Sequence, residues 1–179
     1  MTRSVLRSVL MAGVAVALVS ACGTPEAGSA ATVGSRRISV HDLQSATADI
    51  QALYGPDQPV PQQSVLFLMA AAPYLETAAT KVAAGASLDD ARNVFGTKVP
   101  NPSPAALEVI QANVIIANLQ KLGTDKAGPA LREVTEGLVR DKISVNPRYG
   151  TFDPENGIKQ VQPNWLPTPT PSASTTPAP

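Results

Sequence analysis

The chain has 179 residues, of which 14 are basic and 14 are acidic. This length suffices for one domain with a single hydrophobic core. The balanced charge provides no basic field that would attract phosphates, which argues against a nucleic acid partner. One cysteine and one histidine supply neither a disulfide framework nor the convergent ligands of a typical zinc site.

The first 21 residues are predicted to be a secretory signal peptide. Arg3 and Arg7 precede an apolar run from Val9 to Val19, and small residues follow. The apolar run is shorter than the roughly 20 residues that a membrane-spanning helix needs. Cleavage after Ala21 would remove both arginines and leave 12 basic against 14 acidic residues, a net charge of about −2.

The residues around Cys22 resemble the lipobox of bacterial lipoproteins, since Val19-Ser20-Ala21 comes directly before this cysteine. The resemblance implies that Cys22 becomes the mature N-terminus and carries diacylglycerol and an acyl chain such as palmitate. Two or three acyl chains hold a protein firmly on a bilayer. We therefore expect a lipid anchor on the extracytoplasmic face of the cell membrane. The alternative is an ordinary signal peptide, which would leave Cys22 as a free thiol.

Composition divides the rest of the chain into three parts. Residues 22–31 are small and polar, which predicts a flexible tether after the lipidated cysteine. Residues 32–165 are predicted to form the folded domain. Residues 166–179 consist almost entirely of Pro, Thr, Ser and Ala, so we expect a disordered tail. Trp165 lies at the edge of this tail and either packs back on the domain or serves as an exposed contact.

The domain opens with a short β pattern from Ala31 to Ile38, with a turn at Gly34-Ser35. A helix capped by Ser39 is predicted from Val40 to about Tyr54, where Gly55-Pro56 ends it. A second helix is predicted from Gln62 to Ala84.

The first half of the second predicted helix is apolar on nearly every side. A helix of this kind is either buried or covered by another element. Pro73 lies inside it, which predicts a kink or a break near Ala72.

Three further helices are predicted towards the C-terminus. Ser87 caps a short helix to Phe95, and Ser103-Pro104 opens a helix to Leu122 that is the best candidate for the centre of the core. The last helix runs from about Lys126 to Asp141, and an extended stretch with Ile143 and Val145 follows. The predicted fold class is mainly α: a bundle of about five helices with two short terminal β-strands that pair.

Two stretches resemble one family of proteins. Thr32–Leu43 (TVGSRRISVHDL) is similar to the opening of the SurA and PrsA chaperones, and Ile143–Asp153 looks like the closing segment of the same domains. The resemblance implies a SurA N-terminal-like helical domain whose last strand pairs with its first. Members of this family commonly carry a parvulin-type prolyl isomerase domain between the helical bundle and the closing segment. This chain is expected to have none, as in small actinobacterial lipoproteins with a SurA-type domain.

The polar residues do not form a catalytic pattern. His41 follows a helix cap, and a lone histidine without a positioned nucleophile supports no triad. Asp89 and Asp90 are adjacent, so they point apart on a helix. Glu133 and Glu136 share a face with basic neighbours, which is typical of a solvated surface. We therefore expect no enzyme, no metal and no cofactor apart from the lipid on Cys22.

A binding surface is the more plausible functional feature. Met and aromatic side chains adapt to varied apolar partners, and the candidate peptide-binding residues are Tyr54, Phe67, Met69, Tyr74 and Phe95. The alternative is that these side chains fill the core.

The leading function hypothesis is a non-enzymatic, membrane-anchored binder of unfolded or newly exported polypeptides. A scaffold or assembly factor for one specific cell-envelope complex is the second hypothesis. A degenerate prolyl isomerase is the third.

Overall fold

The computed structural model describes residues 28–160. The predicted signal peptide, Cys22, most of the tether, Trp165 and the tail lie outside these residues. Five helices make the described part mainly α-helical, as predicted: α1 Val40–Tyr54, α2 Gln62–Lys81, α3 Leu88–Phe95, α4 Pro104–Lys121 and α5 Thr124–Arg140. The strands are β1 Ser29–Val33, β2 Arg36–Ser39, β3 Ser144–Val145, β4 Thr151–Asp153 and β5 Gly157–Lys159.

Strand β1 lies in the centre of a three-stranded antiparallel sheet in the order β2-β1-β3. The turn to β2 is made by Gly34-Ser35, where Gly34 has a φ of +56° that favours glycine. On its other edge β1 pairs with β3, with Ala31 opposite Val145. The predicted pairing of the segments before the first helix and after the last helix is thus confirmed.

The folded domain begins earlier than its predicted start. The tether was predicted to extend to Ala31, but Ser29, Ala30 and Ala31 belong to β1 and are buried. The physical reason is that β1 is hydrogen-bonded on both edges, and its small side chains fit against the helices. Asn146 reinforces this end, since its backbone N–H donates to the Ala30 carbonyl at 2.9 Å and its side-chain amide donates to the Ser29 carbonyl at 3.0 Å.

Helix termini follow the predicted capping residues. The side chains of Ser39, Ser87 and Ser103 each accept a backbone N–H in the first turn of α1, α3 and α4. At α3 the Asp90 carboxylate also accepts the Ser87 N–H, which completes a capping box. This hydrogen bond lowers the pKa of Asp90. Helix α5 begins at Thr124, two residues before the predicted Lys126.

Helix α2 differs from its prediction in two ways. It is continuous from Gln62 to Lys81, with no break near Ala72. Pro73 cannot donate to the Met69 carbonyl, but the Arg36 guanidinium takes that place through Nη1 at 2.6 Å. The helix also ends three residues before the predicted Ala84, because Ala83 adopts a φ of +54°.

The core is a single cluster between the helices and the first sheet. Helix α4 contacts each of the other four helices, as predicted for the central helix, and α2 contacts α1, α4, α5, β1 and β5. The largest fully buried side chains are Ile38, Leu43, Leu66, Leu75, Phe95, Ile115, Leu119 and Leu138. All of these residues lie between positions 28 and 160, so a chain from Gly23 to Pro179 retains every packing contact described here.

Helices α2 and α5 approach closely at Gly137. A Cβ atom at this glycine would lie 2.7 Å from Cε1 of Tyr74, well inside van der Waals contact. The ring has little freedom to move away, because its hydroxyl donates to Asp141 Oδ2 at 2.6 Å. Burial and this hydrogen bond raise the pKa of Tyr74 to about 12. Gly137 is therefore required by packing, although glycine is a poor helix former.

We expect Gly137→Ala to destabilise the fold by about 1–2 kcal/mol, because overpacking costs of about 1–3 kcal/mol exceed the gain of about 1 kcal/mol in helix propensity. Urea unfolding followed by circular dichroism measures the change. In a Tyr74→Ala background the same substitution should become stabilising. Gly85→Ala is the control, since a Cβ at Gly85 meets nothing within 4 Å. Equal costs of Gly137→Ala in both backgrounds would contradict this account of the contact.

Candidate functional site

A cavity of about 510 Å³ lies between α2, α4, α5 and the β4–β5 hairpin. We call it the groove. Its apolar lining comes from Phe67, Leu68, Ala71, Leu75, Ile116, Leu131, Val134 and Ile158. Polar groups stand beside them: Gln63, Ser64, Thr135, Glu155 and Asn156. An apolar lining with a few polar groups is the usual composition of a ligand site.

The groove arises because α2 has more apolar surface than the core can cover. One side of this helix, with Val65, Leu66 and Met69, is buried in the core. Phe67 and Leu68 remain only half-buried. The other side of α2 therefore carries apolar surface that α5 and the β4–β5 hairpin cover in part. Although α2 is apolar over much of its length, no helix between residues 28 and 160 is long and apolar enough to cross a membrane.

The β4–β5 hairpin forms one wall of the groove. Gly157 allows β5 to lie on the Phe67 ring, because a Cβ at this position would be 3.4 Å from Phe67 Cδ2. Gly157 also has a φ of +77°, which favours glycine. The neighbouring Ile158 is buried and points its side chain to the groove. The hairpin therefore adds apolar wall as well as backbone to the site.

The turn of this hairpin is organised by Asp153. Its Oδ1 accepts the backbone N–H groups of Glu155 at 2.9 Å and Asn156 at 3.0 Å. Its Oδ2 forms an ion pair with Lys159 Nζ at 2.8 Å. The Lys159 hydrogen bond, followed by those from Asn156 and Glu155, holds the pKa of Asp153 well below its ordinary value.

The lowered pKa predicts a hairpin that loosens in acid. A depressed carboxyl pKa stabilises the fold above the unfolded-state value of about 3.8 and ceases to do so as pH falls through the folded-state value. We expect the amide signals of Gly157 and Ile158 to shift below about pH 4 in an NMR titration. Asp153→Asn should remove most of this dependence, and amides of β1 serve as the internal reference. If the amide signals of the variant shift with pH in the same pattern and to the same size as in the wild type, Asp153 does not have this role.

The structure places the five predicted binding residues in different environments. Phe67 alone among them lines the groove. Met69 and Phe95 are core residues that are 3% and 1% exposed, as the alternative interpretation proposed for them. Tyr54 is 45% exposed at the end of α1, and Tyr74 lies between α2 and α5.

Other groove residues had not been identified from the sequence. Ile116, Leu131, Val134 and Ile158 come from three elements that are far apart in the chain. A weak signal was present, since Leu131 and Val134 are three residues apart on a helix and Ile158 follows the turn pattern Asn156-Gly157. Periodicity alone could not show that these residues meet.

The polar residues considered from the sequence have surface roles. His41 is largely exposed, and its Nδ1 is 3.7 Å from Asp42 Oδ1. Asp89 pairs with Arg92, and Glu133 pairs with Lys81 of α2. No group of three or more His, Cys, Asp or Glu residues that could hold a metal ion occurs within the described range. The geometry of the groove fits the binding of an apolar, largely uncharged segment.

No family model, no curated protein and no solved structure matches this chain in sequence or fold. The resemblance of the two domain ends to SurA and PrsA therefore stays a prediction. Functional interpretation rests on the geometry of the groove and on the sequence pattern around Cys22.

Proposed function

We propose that this protein is a lipid-anchored extracytoplasmic chaperone that binds apolar segments of unfolded or newly exported polypeptides in the groove. The observation that carries the proposal is the cavity of about 510 Å³ with a mainly apolar lining and a few polar groups. The cavity is open, so it can accept part of a long chain. The proposed fold family is the SurA N-terminal type without an isomerase domain, supported by the sequence of the two domain ends.

The lining chemistry supports a broad rather than a narrow specificity. Leucine, isoleucine, valine and phenylalanine provide non-directional contacts, whose free energy follows the apolar area removed from water. Among the described residues that line the groove, Glu155 is the one that carries a charge. Extended segments rich in Leu, Phe or Val, without acidic residues, are therefore the proposed ligands. No catalytic step is part of this proposal.

The test of this function is suppression of aggregation by the chain from Gly23 to Pro179. A reduced and alkylated test protein that cannot refold is mixed with it, and light scattering is followed over a series of molar ratios. Suppression at near-stoichiometric ratios is the expected result. Failure to bind any unfolded protein at tens of micromolar would contradict the proposal. A pull-down that recovers one stoichiometric envelope protein instead would favour a dedicated assembly factor.

Two substitutions locate the activity on the molecule. Leu131 and Leu122 are both 37% exposed, but Leu131 lines the groove and Leu122 caps the end of α4. Leu131→Glu should abolish suppression, because a buried charge in the bound state is costly. Leu122→Glu should leave it unchanged. Equal activity of the two variants would show that binding occurs elsewhere.

The proposed anchor gives a separate prediction for Cys22. Growth of the producing bacterium with an alkyne-labelled palmitate should label the wild-type protein and fractionate it with membranes. Cys22→Ser should abolish labelling and release the protein, because no other cysteine exists in the chain. Ser20→Ala, which keeps a small residue before the cysteine, is the control and should behave as wild type. Labelling that persists in Cys22→Ser would contradict lipidation at this residue.

A further inference from the structure

The strongest unassigned feature is the combination of the groove with the sequence that follows β5. Described residues end at Gln160, two positions after Ile158, whose side chain lines the groove. The next residues are Val161-Gln162-Pro163-Asn164-Trp165-Leu166. The chain therefore leaves the described fold at the wall of its own apolar cavity.

This segment differs from the rest of the chain outside the described domain. Apart from proline, Val161, Trp165 and Leu166 are the only aliphatic or aromatic residues larger than alanine in positions 23–27 and 161–179. Everything after Leu166 is Pro, Thr, Ser or Ala. Trp165 is also the one tryptophan of the protein. Three apolar side chains are thus concentrated directly next to an apolar cavity.

The distance allows the segment to reach the groove without strain. Trp165 lies five positions after Gln160, which corresponds to a span of at most about 18 Å in an extended chain. Pro163 restricts the backbone, so less conformational entropy is lost on binding. A short connection of this kind also gives the segment an effective concentration in the millimolar range at the groove.

Charge and hydrogen bonding are complementary as well. Residues 161–166 carry no charge, and the groove lining holds Glu155 as its single charged side chain. The indole N–H is a donor without acceptor capacity. Thr135, Glu155 and Asn156 line the groove and provide oxygen acceptors that this donor requires.

We propose that Val161–Leu166 occupies the groove of its own chain, with Trp165 as the apolar anchor. The segment then acts as an intramolecular competitor of polypeptide ligands. A ligand must displace Trp165, so weakly apolar segments are excluded while strongly apolar ones bind. This inference concerns the groove of the proposed function, but its test uses no polypeptide ligand, so either proposal can fail alone.

The fluorescence of Trp165 tests the inference directly, because no other tryptophan contributes. In the chain from Gly23 to Pro179 we expect a blue-shifted emission maximum and an acrylamide quenching constant severalfold lower than in urea. Leu131→Glu should shift both values towards those of the unfolded chain, whereas Leu122→Glu should not. Circular dichroism of each variant establishes that the helices remain folded.

Two outcomes would overturn the inference. One is a Trp165 emission in the native protein equal to that in urea and insensitive to Leu131→Glu. The other is an emission maximum that moves to the red on hundredfold dilution, because occupation by a second copy depends on concentration whereas occupation within one chain does not.

Discussion

Arg36→Met is expected to destabilise the protein by about 2–3 kcal/mol, since buried or half-buried acceptors that lose their donor cost about 1–3 kcal/mol each. The Arg36 guanidinium donates to the Met69 carbonyl at 2.6 Å and to the Glu108 carboxylate. Met69 is buried and the Glu108 side chain is largely shielded from solvent, and burial raises the pKa of Glu108 even with Arg36 beside it. Methionine keeps the apolar stem of the side chain, so the loss reports the hydrogen bonds. Urea unfolding at pH 7 measures it.

Pro73 provides the second arm of this experiment. Pro73→Ala restores an N–H that can donate to the Met69 carbonyl, so the cost of Arg36→Met should fall by about 1 kcal/mol in that background. Arg92→Met is the control, because the Arg92–Asp89 pair is exposed and such pairs contribute about 0–1 kcal/mol. If Arg36→Met costs the same with and without Pro73, the arginine does not compensate for the proline.

Gly150→Ala should abolish ligand binding in the groove while leaving the helices folded. Gly150 has a φ of +126°, and a Cβ at this position would lie 2.9 Å from the carbonyl carbon of Lys159 and still closer to its oxygen. The backbone cannot yield as a side chain does, so β5 must separate from β4. Backbone strain and overlap together cost about 2–5 kcal/mol. The wall that contains Ile158 is then lost.

The measurement is fluorescence anisotropy of a labelled Leu- and Phe-rich peptide, with circular dichroism to monitor helix content. We expect affinity to fall by more than about tenfold, which corresponds to 1.4 kcal/mol. Gly55→Ala is the matched control. Gly55 has a φ of +87°, but a Cβ there meets nothing within 4 Å, so strain is present without a clash and far from the groove lining. Unchanged affinity in Gly150→Ala would show that the hairpin is no part of the site.

Local signals in the sequence predicted most of the helical architecture. Ser39, Ser87 and Ser103 identified three helix starts, because a serine hydroxyl satisfies backbone donors that a first turn leaves free. Gly55 marked the end of α1, where its φ of +87° favours glycine. The pairing of β1 with β3 followed from two extended segments at the domain ends.

Features that depend on distant residues were not accessible in this way. Pro73 predicted a kink or a break, and the helix is unbroken. The substitute donor that the local pattern could not show is Arg36, far away in sequence. Gly137 is locally unfavourable in a helix, whereas its role in α5 is to accommodate Tyr74. Each miss has one cause, namely a tertiary contact that outweighs a local preference.

The candidate site was predicted only in outline. An α2 apolar on nearly every side indicated that the helix is buried or covered, and one of the five candidate binding residues, Phe67, lines the cavity. The partner itself includes the β4–β5 hairpin, whose strands have three residues each. Strands this short carry almost no periodic signal. The groove therefore required the three-dimensional arrangement.

Photo-crosslinking from the groove tests directly whether unfolded polypeptides bind there. A benzophenone side chain is placed at Thr135, which lines the groove, or at Thr80, which lies on α2 away from it and makes the same hydroxyl bond to the carbonyl four residues earlier. Each variant of the 23–179 chain is irradiated with the reduced and alkylated test protein. We expect strong crosslinks from position 135 and few from position 80. Equal yields, or none from position 135, would contradict it.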